Sequence, residues 1–264
     1  MEKALVAGTS GPSVAFQLRI SDSLAIPRYL EETYWWAYVH PNAVKFFDRH
    51  WIVNLILWGN MGRLRDAALA AIGPTLQGRT LQVACVYGNF TPCAVDRLAE
   101  GARMDVVDVT PIQLKNLSRK LKKDANVYLH HQDSTNLAFQ DEEFDNVIVF
   151  FLLHEQPNDI KKKTISEAMR MVKPGGKLIF VDYHEPSYFN PFRYIMIPIL
   201  RLLEPFAMDL WSRDVVSWVE ETCVARGLGG LAKWSTGVHQ ETLFGGLYQK
   251  VVLERARPDV SSSR

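Results

Sequence analysis

Cysteine is scarce in this 264-residue chain: Cys85, Cys93 and Cys223 form no CxxC pair and no even framework. That excludes a disulfide-stapled scaffold and fits a reducing compartment. A surplus of charge of one sign is missing too. Thirty Lys and Arg oppose twenty-nine Asp and Glu for a net of +1, so there is no basic field to hold nucleic acid. Long apolar runs are also lacking. Those around Trp51–Trp58 and Ile195–Leu203 fall short of the roughly 20 residues that cross a bilayer. The opening stretch MEKALVAGTSGPSVAF has no signal-peptide core. The expectation is a cytoplasmic protein, with contact to the inner face of the cell membrane left open. Hydrophobic residues make up 47% and charged residues 22%, the balance of a folded globular chain.

Punctuation and periodicity divide the chain. Residues 1–33 carry Gly, Ser and Pro without rhythm and read as a flexible arm. Residues 34–77 form an aromatic-rich helical cap, since YWWAYVHPNAVKFFDRHWIVNLILWGN holds four tryptophans among apolar residues three and four apart. It reads as two helices broken near Pro41. Residues 78–256 then alternate β-rich and helical runs. Strands are expected at 79–86, 104–108, 127–131, 144–153 and 177–182. Helices are expected from Thr91-Pro92 and Thr110-Pro111, each a cap followed by a first-turn proline, and at 159–172. This rhythm predicts an α/β fold, a doubly wound Rossmann-like parallel sheet with its ligand site beyond the carboxyl ends of the strands. Residues 186–211, with Pro186, Pro191, Pro198 and Pro205 among bulky apolar side chains, read as short helical pieces forming a lid rather than one long buried helix. A helix near 214–225, a hairpin pairing 232–236 with 247–255 and a disordered tail at 257–264 complete the expectation.

The loop after the first of these strands reads Leu81-Gln82-Val83-Ala84-Cys85-Val86-Tyr87-Gly88-Asn89-Phe90-Thr91. It resembles motif I of class I S-adenosylmethionine-dependent methyltransferases. The resemblance implies an acid at Gln82 and glycines at Ala84, Val86 and Gly88, of which only Gly88 stands. Asp108 lies about twenty residues past Gly88, the offset of a ribose-binding acid; the competing reading is a solvated strand-end aspartate. Gln132-Asp133-Ser134 occupies the place of an adenine-contacting acid, or of a turn aspartate. Phe144-Asp145-Asn146-Val147-Ile148-Val149, His154-Glu155 and Lys173-Pro174-Gly175-Gly176-Lys177-Leu178 continue the family's order over residues 78–184. Cofactor contacts are accordingly expected from Val83, Ala84, Cys85, Tyr87, Gly88, Asp108, Val109, Asp133, Ser134 and Phe150. Side chains at 84 and 86 would crowd the methionine end of the cofactor and rotate it away from methyl transfer, which depends on tight placement. The alternative is slight drift with unchanged chemistry.

Tyr34-Trp35-Trp36-Ala37-Tyr38-Val39-His40-Pro41, Asn54-Leu55-Ile56-Leu57-Trp58-Gly59-Asn60, the glycine-poor loop and Leu153-His154-Glu155-Gln156-Pro157 together resemble the RquA family of rhodoquinone-biosynthesis proteins, from about Tyr34 to Arg255. The resemblance implies conversion of ubiquinone to rhodoquinone, a ring methoxy group exchanged for an amino group with S-adenosylmethionine as nitrogen donor, and an association with manganese (Mn2+). Such chemistry moves protons, so a group titrating near neutrality is required. His154 is the first candidate and Tyr87 the second, with a loop histidine and a packing tyrosine as the plainer readings. Glu155, His154, His184, Glu185, His130 and Asp133 fall at adjacent strand ends but match no fixed ligand spacing, so the metal ligands stay unassigned. The tryptophan block and segment 186–211, with Arg193, Arg201 and Arg213, suit a hydrophobic mouth or a peripheral membrane contact; covering the sheet or a dimer contact explains them equally. A conventional methyltransferase acting on a quinone, phenol or lipid is the rival enzyme, and an inactive binding subunit the rival outside catalysis.

Overall fold

The computed structural model describes residues 3–4, 17–21 and 24–258. Nine strands form one sheet: β1 (Lys3–Ala4), β2 (Gln17–Ile20), β3 (Arg79–Val83), β4 (Arg103–Asp108), β5 (Val127–His131), β6 (Phe144–Phe150), β7 (Val172–Tyr183), β8 (Ser235–Leu243) and β9 (Tyr248–Arg255). Their order across the sheet is β1-β2-β5-β4-β3-β6-β7-β9-β8. From β2 to β7 neighbours run parallel, while β9 returns antiparallel beside β7 and pairs with β8. The chain leaves β3 toward β4 and β5, then resumes on the other side at β6. That reversal opens a crevice at the carboxyl ends of β3 and β6.

The near-continuous apolar character of these strands follows from cover on both faces. On one face pack α4 (Met61–Ile72), α5 (Phe90–Val95), α6 (Pro111–Ser118) and α8 (Pro191–Leu203), burying Leu64, Leu69, Phe90, Leu114 and Leu200 against Val106, Ile148 and Ile179. On the other lie α7 (Asn158–Met171) and α10 (Val215–Ala225), with Ile165, Met169, Trp218 and Val219 over Leu81, Val147 and Phe180. Short helices α9 (Met208–Ser212) and α11 (Leu231–Trp234) link them.

Several expectations shift. Residues 17–20, inside the expected arm, form β2 beside β5, and 28–34 form α1 (Arg28–Tyr34); the remainder of the arm before residue 24 and the tail beyond 258 lie outside the described residues, except 3–4 and 21. The aromatic cap breaks at Pro41 as expected, then breaks again. A π-helical turn at Trp35–Val39 leads into α2 (Pro41–Phe47) and α3 (His50–Ile56). Trp58 and Gly59 at φ +51° and +78° then reverse the chain before α4. Thr91 does not cap a helix: α5 begins at Phe90 after Asn89, and the Thr91 hydroxyl donates to Gln82 Oε1 at 2.8 Å. Residues 173–176 bulge out of register inside β7, because Phe144 pairs with Val172 and Asn146 with Lys177. Segment 191–203 is one helix despite Pro198. The proline leaves the Tyr194 carbonyl without its helical donor, and Tyr194 lies on the exposed side of the helix.

At the amino ends of the strands, Asp105 is fully buried and accepts from Arg79 (2.7 Å), Arg103 (2.5 Å) and His130 (2.7 Å). Burial alone would raise its pKa. Hydrogen bonds from His130, Arg79 and Arg103 outweigh that and hold the carboxyl well below the usual range. A group depressed in the native state stabilises above its unfolded pKa and loses that contribution as pH falls through the native one. Asp105→Ala should lower stability by about 3 kcal/mol, or roughly 6–12 °C in Tm by calorimetry. Asp105→Asn should weaken the loss of stability below about pH 4.

Candidate active site

The β3–α5 loop is held open by side chains rather than by glycine alone. Ala84 follows β3 at φ +72°, the left-handed conformation that glycine adopts without penalty. The backbone thus keeps the path of a glycine loop while carrying a methyl group. Gln82, where an acid was expected, is fully buried with both ends of its amide used: Nε2 donates to the Ala84 carbonyl at 2.9 Å and Oε1 accepts from Thr91. Gly88, at φ +82°, donates its N–H to Asp48 Oδ1 at 3.1 Å, and Lys120 bridges Asp48 and the Gly88 carbonyl. Val86 packs against the core and does not line the cleft, so of the two side chains expected to crowd a cofactor only Ala84 does.

A cleft opens beyond the strand ends. Ala84, Cys85, Asp108, Val109, Asp133 and Ser134 line it. Val83 and Phe150 instead lie in the core, the latter with its ring 4.3 Å from that of Phe90; the next residue, Phe151, takes the lining place. Gly88 is buried beneath Asp48, and Tyr87 turns away. Its hydroxyl donates to the Ala37 carbonyl at 2.5 Å, accepts from Gln113 Nε2 at 2.7 Å, and its ring stacks on Tyr38 at 5.5 Å. Tyr87 therefore docks the aromatic cap onto the loop, the packing reading of that residue.

Asp108 is tightly engaged. Its Oδ2 accepts the Cys85 N–H at 2.7 Å, and Oδ1 accepts both the N–H and the hydroxyl of Thr110, at 2.7 and 2.5 Å. Burial raises its pKa, and those hydrogen bonds moderate the rise. A carboxylate offers about four acceptor positions, so one is left for a ligand. Asp133 Oδ1 accepts the N–H and hydroxyl of Thr135, while Oδ2 receives no such bond. Beside it, Gln156 is buried, donates Nε2 to Ser134 Oγ at 3.1 Å, and leaves its Oε1 without a hydrogen-bond partner. An unpartnered buried acceptor on a residue of the cleft wall calls for an N–H or O–H donor.

Behind the cleft sits a group of buried acids. His154 does not reach the cleft wall: Nδ1 meets Asp182 Oδ1 at 2.9 Å and Nε2 lies 3.7 Å from Glu155 Oε1. Burial would lower its pKa, but the charge and hydrogen bond of Asp182 carry it up to about 9, so His154 stays protonated at neutral pH. Glu155 does line the cleft. Its burial pushes the carboxyl up to about 8; His154 pulls it down and Glu204 pushes it up. Glu204, at the end of α8, is likewise raised by burial. The group titrating near neutrality is thus Glu155, one residue past the expected His154.

Tyr29, Leu30 and Tyr38 close the cleft from the N-terminal side, inside segments expected to be arm and cap, and Gln113 and Gln132 complete its polar wall. No sequence signal marked Tyr29 or Gln113 for this place. The six candidate metal ligands do not converge. His130 pairs with Asp105, His184 Nδ1 with the Gly246 carbonyl, and Glu185 with Arg193. Among the described residues, no group of three or more His, Cys, Asp or Glu side chains is placed to hold a metal ion. The donor set does not fit a manganese site.

Residues 80–176 match the family model of a methyltransferase domain. The demethylmenaquinone methyltransferase of Staphylococcus saprophyticus is 28% identical over 191 residues, 70% of this chain and 78% of that protein. Its counterpart from Bacillus licheniformis is 24% identical over 160 residues, 60% and 68% of the two chains. Among solved structures, human N-acetylserotonin methyltransferase in complex with S-adenosylmethionine superposes with a TM-score of 0.57 at 12% identity, covering 88% of this chain and 61% of that one. An S-adenosylmethionine-dependent methyltransferase from Aquifex aeolicus gives 0.52 at 16% identity, covering 82% and 99%. The fold is the Rossmann-like sheet of class I methyltransferases, and residues 80–176 are similar to a methyltransferase domain.

A left-handed residue with a Cβ costs about 1–2 kcal/mol. Ala84→Gly should therefore raise Tm by roughly 2–8 °C in a scanning measurement, with no change in the loop's path. A lower Tm would show that the methyl group packs more favourably than its backbone strain implies.

Proposed function

We propose that this chain binds S-adenosylmethionine in the cleft and transfers a group from it to the ring of an isoprenoid quinone or a phenolic precursor. The observation that carries this reading is one cleft joining a nucleotide-accepting edge to Glu155. Asp108 offers one acceptor position to a ribose hydroxyl. Asp133 Oδ2 and the unpartnered Gln156 Oε1 offer two acceptors to the amino group of adenine. A nucleotide held this way lies along the carboxyl ends of β4 and β5, with its reactive end toward the β3 loop and the end of β6. The names of the bacterial relatives support a quinone-type acceptor and methyl transfer.

S-adenosylmethionine supplies an electrophilic methyl group on a sulfonium and departs as S-adenosylhomocysteine, so the acceptor must be nucleophilic, the reduced hydroquinone or the phenol. The acceptor ring must lose a proton as the new bond forms, and Glu155 is the residue that touches the cleft and titrates in the working range. His154, charged and held by Asp182, positions Glu155 without touching the substrate. Tyr29, Tyr38 and Phe151 give the apolar walls a planar ring would stack against.

A second reading, exchange of a ring methoxy group for the amino group of S-adenosylmethionine, draws support from two features. The Ala84 methyl group lines the cleft, and Asp108 has three of its acceptor positions taken by Cys85 and Thr110. Both push a nucleotide from a seat built of glycines and a free carboxylate. Against it stands the unaltered glycine-type path at Ala84.

S-adenosylmethionine labelled with 13C in the methyl group and 15N in the α-amino group separates the two. Methyl transfer puts only 13C into the reduced demethylated precursor, whereas amino exchange puts only 15N into short-chain ubiquinone as methanol leaves. Neither label in product, with no heat of nucleotide binding by calorimetry, would leave an inactive binding subunit. Glu155→Gln should lower kcat by about 10²–10⁴-fold with nucleotide affinity retained, and wild-type kcat should rise with pH through about 8 as Glu155 deprotonates. His154→Ala should move that pH dependence upward, because the cation that lowers the Glu155 pKa is gone.

A further inference from the structure

We propose that the face formed by α3 and α8 docks flat on an anionic lipid bilayer, placing the cleft's aromatic cap at the membrane interface. The large exposed apolar side chains gather almost entirely in two stretches, 35–58 and 188–203. In α3, Ile52 and Val53 face inward while Trp51, Leu55 and Ile56 face out, 61%, 67% and 48% exposed. In α8, Met196 and Leu200 face inward while Tyr194, Ile195 and Leu202 face out. A helix apolar on all sides requires apolar cover on all sides, and here only one side of each has it. Phe189, at 97%, caps the second stretch.

The two stretches are joined. Trp58 packs edge-on against Phe192 at 4.9 Å, and its indole N–H donates to the Met196 sulfur at 3.2 Å. Trp36 packs edge-on against Phe47, whose ring meets Tyr87, itself stacked on Tyr38 of the cleft wall. Isolated exposed hydrophobics are ordinary, whereas a connected set rimmed by polar residues marks an interaction surface.

Charge and composition choose the occupant. The exposed ionised groups within the stretches are cations: Lys45, Arg49 and Arg201. The one acid within them, Asp48, is turned inward to the Gly88 N–H and Lys120, and Glu204, next after the second stretch, joins the buried group around His154. Tryptophan and tyrosine favour the headgroup level, and cations above an apolar face favour anionic lipid. No helix among the described residues is long and apolar enough to cross a membrane, so the contact is peripheral. The inference holds whichever group is transferred, and its test needs no turnover.

Full-length protein is sedimented with phosphatidylcholine vesicles containing or lacking phosphatidylglycerol. Wild type should pellet with the anionic vesicles, less as salt rises. Trp51→Ser/Leu55→Ser/Phe189→Ser should stay in the supernatant. Arg49→Glu/Arg201→Glu should lose at least about 25-fold in affinity for anionic vesicles only, given about fivefold for each cation removed. Both variants alter exposed residues away from the cleft and should keep nucleotide binding, which checks their folding. Wild type left in the supernatant, or variants pelleting like wild type, would overturn the proposal. So would sedimentation velocity showing a dimer that the triple-serine variant dissolves, for the face would then belong to a second copy.

Discussion

The carboxylate of Asp108 is the tie on which the cleft depends. It gathers the Cys85 N–H from one loop and the N–H and hydroxyl of Thr110 from the next, so the ends of β3 and β4 cannot drift apart without exposing a buried charge. Gln82 does the same work one layer below, joining Ala84 to Thr91. Where homologous folds rely on glycine to shape this loop, here a lattice of side-chain hydrogen bonds holds an alanine in a glycine conformation. Unmade bonds in such a lattice are expensive in a dry interior, which is why the strained φ persists.

A second consequence of burial is the grouping of His154 with three carboxylic acids, Asp182, Glu155 and Glu204. Taken singly, an imidazolium, Glu155 and Glu204 would each be expelled from a site this dry. Together, with Asp182 anchoring the imidazolium, they share charge so that one carboxyl is left poised near the pH of the cell. The acid that can exchange protons is the one facing the cleft. The histidine, more conspicuous in sequence, is fixed as a cation.

The alternation of strands and helices was legible because parallel strands buried on both faces carry an unmistakable apolar signature: Val127–His131 was placed to the residue, and Asp214 does begin the late helix as its cap. That Asp108 and Asp133 would line the cleft was legible, the first from its offset past Gly88 and the second from its place after the third strand. What escaped depended on contacts distant in the chain. Tyr29 lines the cleft only because the segment that carries it folds across strand ends more than fifty residues away. Phe150 and Phe151 differ by one step of a period-two pattern, and nothing local says which faces in. Thr91 looked like a cap because threonine before proline is one; a buried amide nine residues earlier competed for its hydroxyl and won. Pro198 misled because the rule against proline in helices weakens where the orphaned carbonyl belongs to a residue on the exposed side.

The outer strand β8 shows almost nothing apolar: His239, Gln240, Glu241 and Thr242 stand exposed along it, with Val238 the one large hydrophobic among them. Open backbone along such a rim would recruit a like strand from a neighbouring molecule. A protein gathered onto a surface meets its own kind far more often than one free in solution. Charged and amide side chains along this rim let molecules crowd side by side without zipping into fibrils.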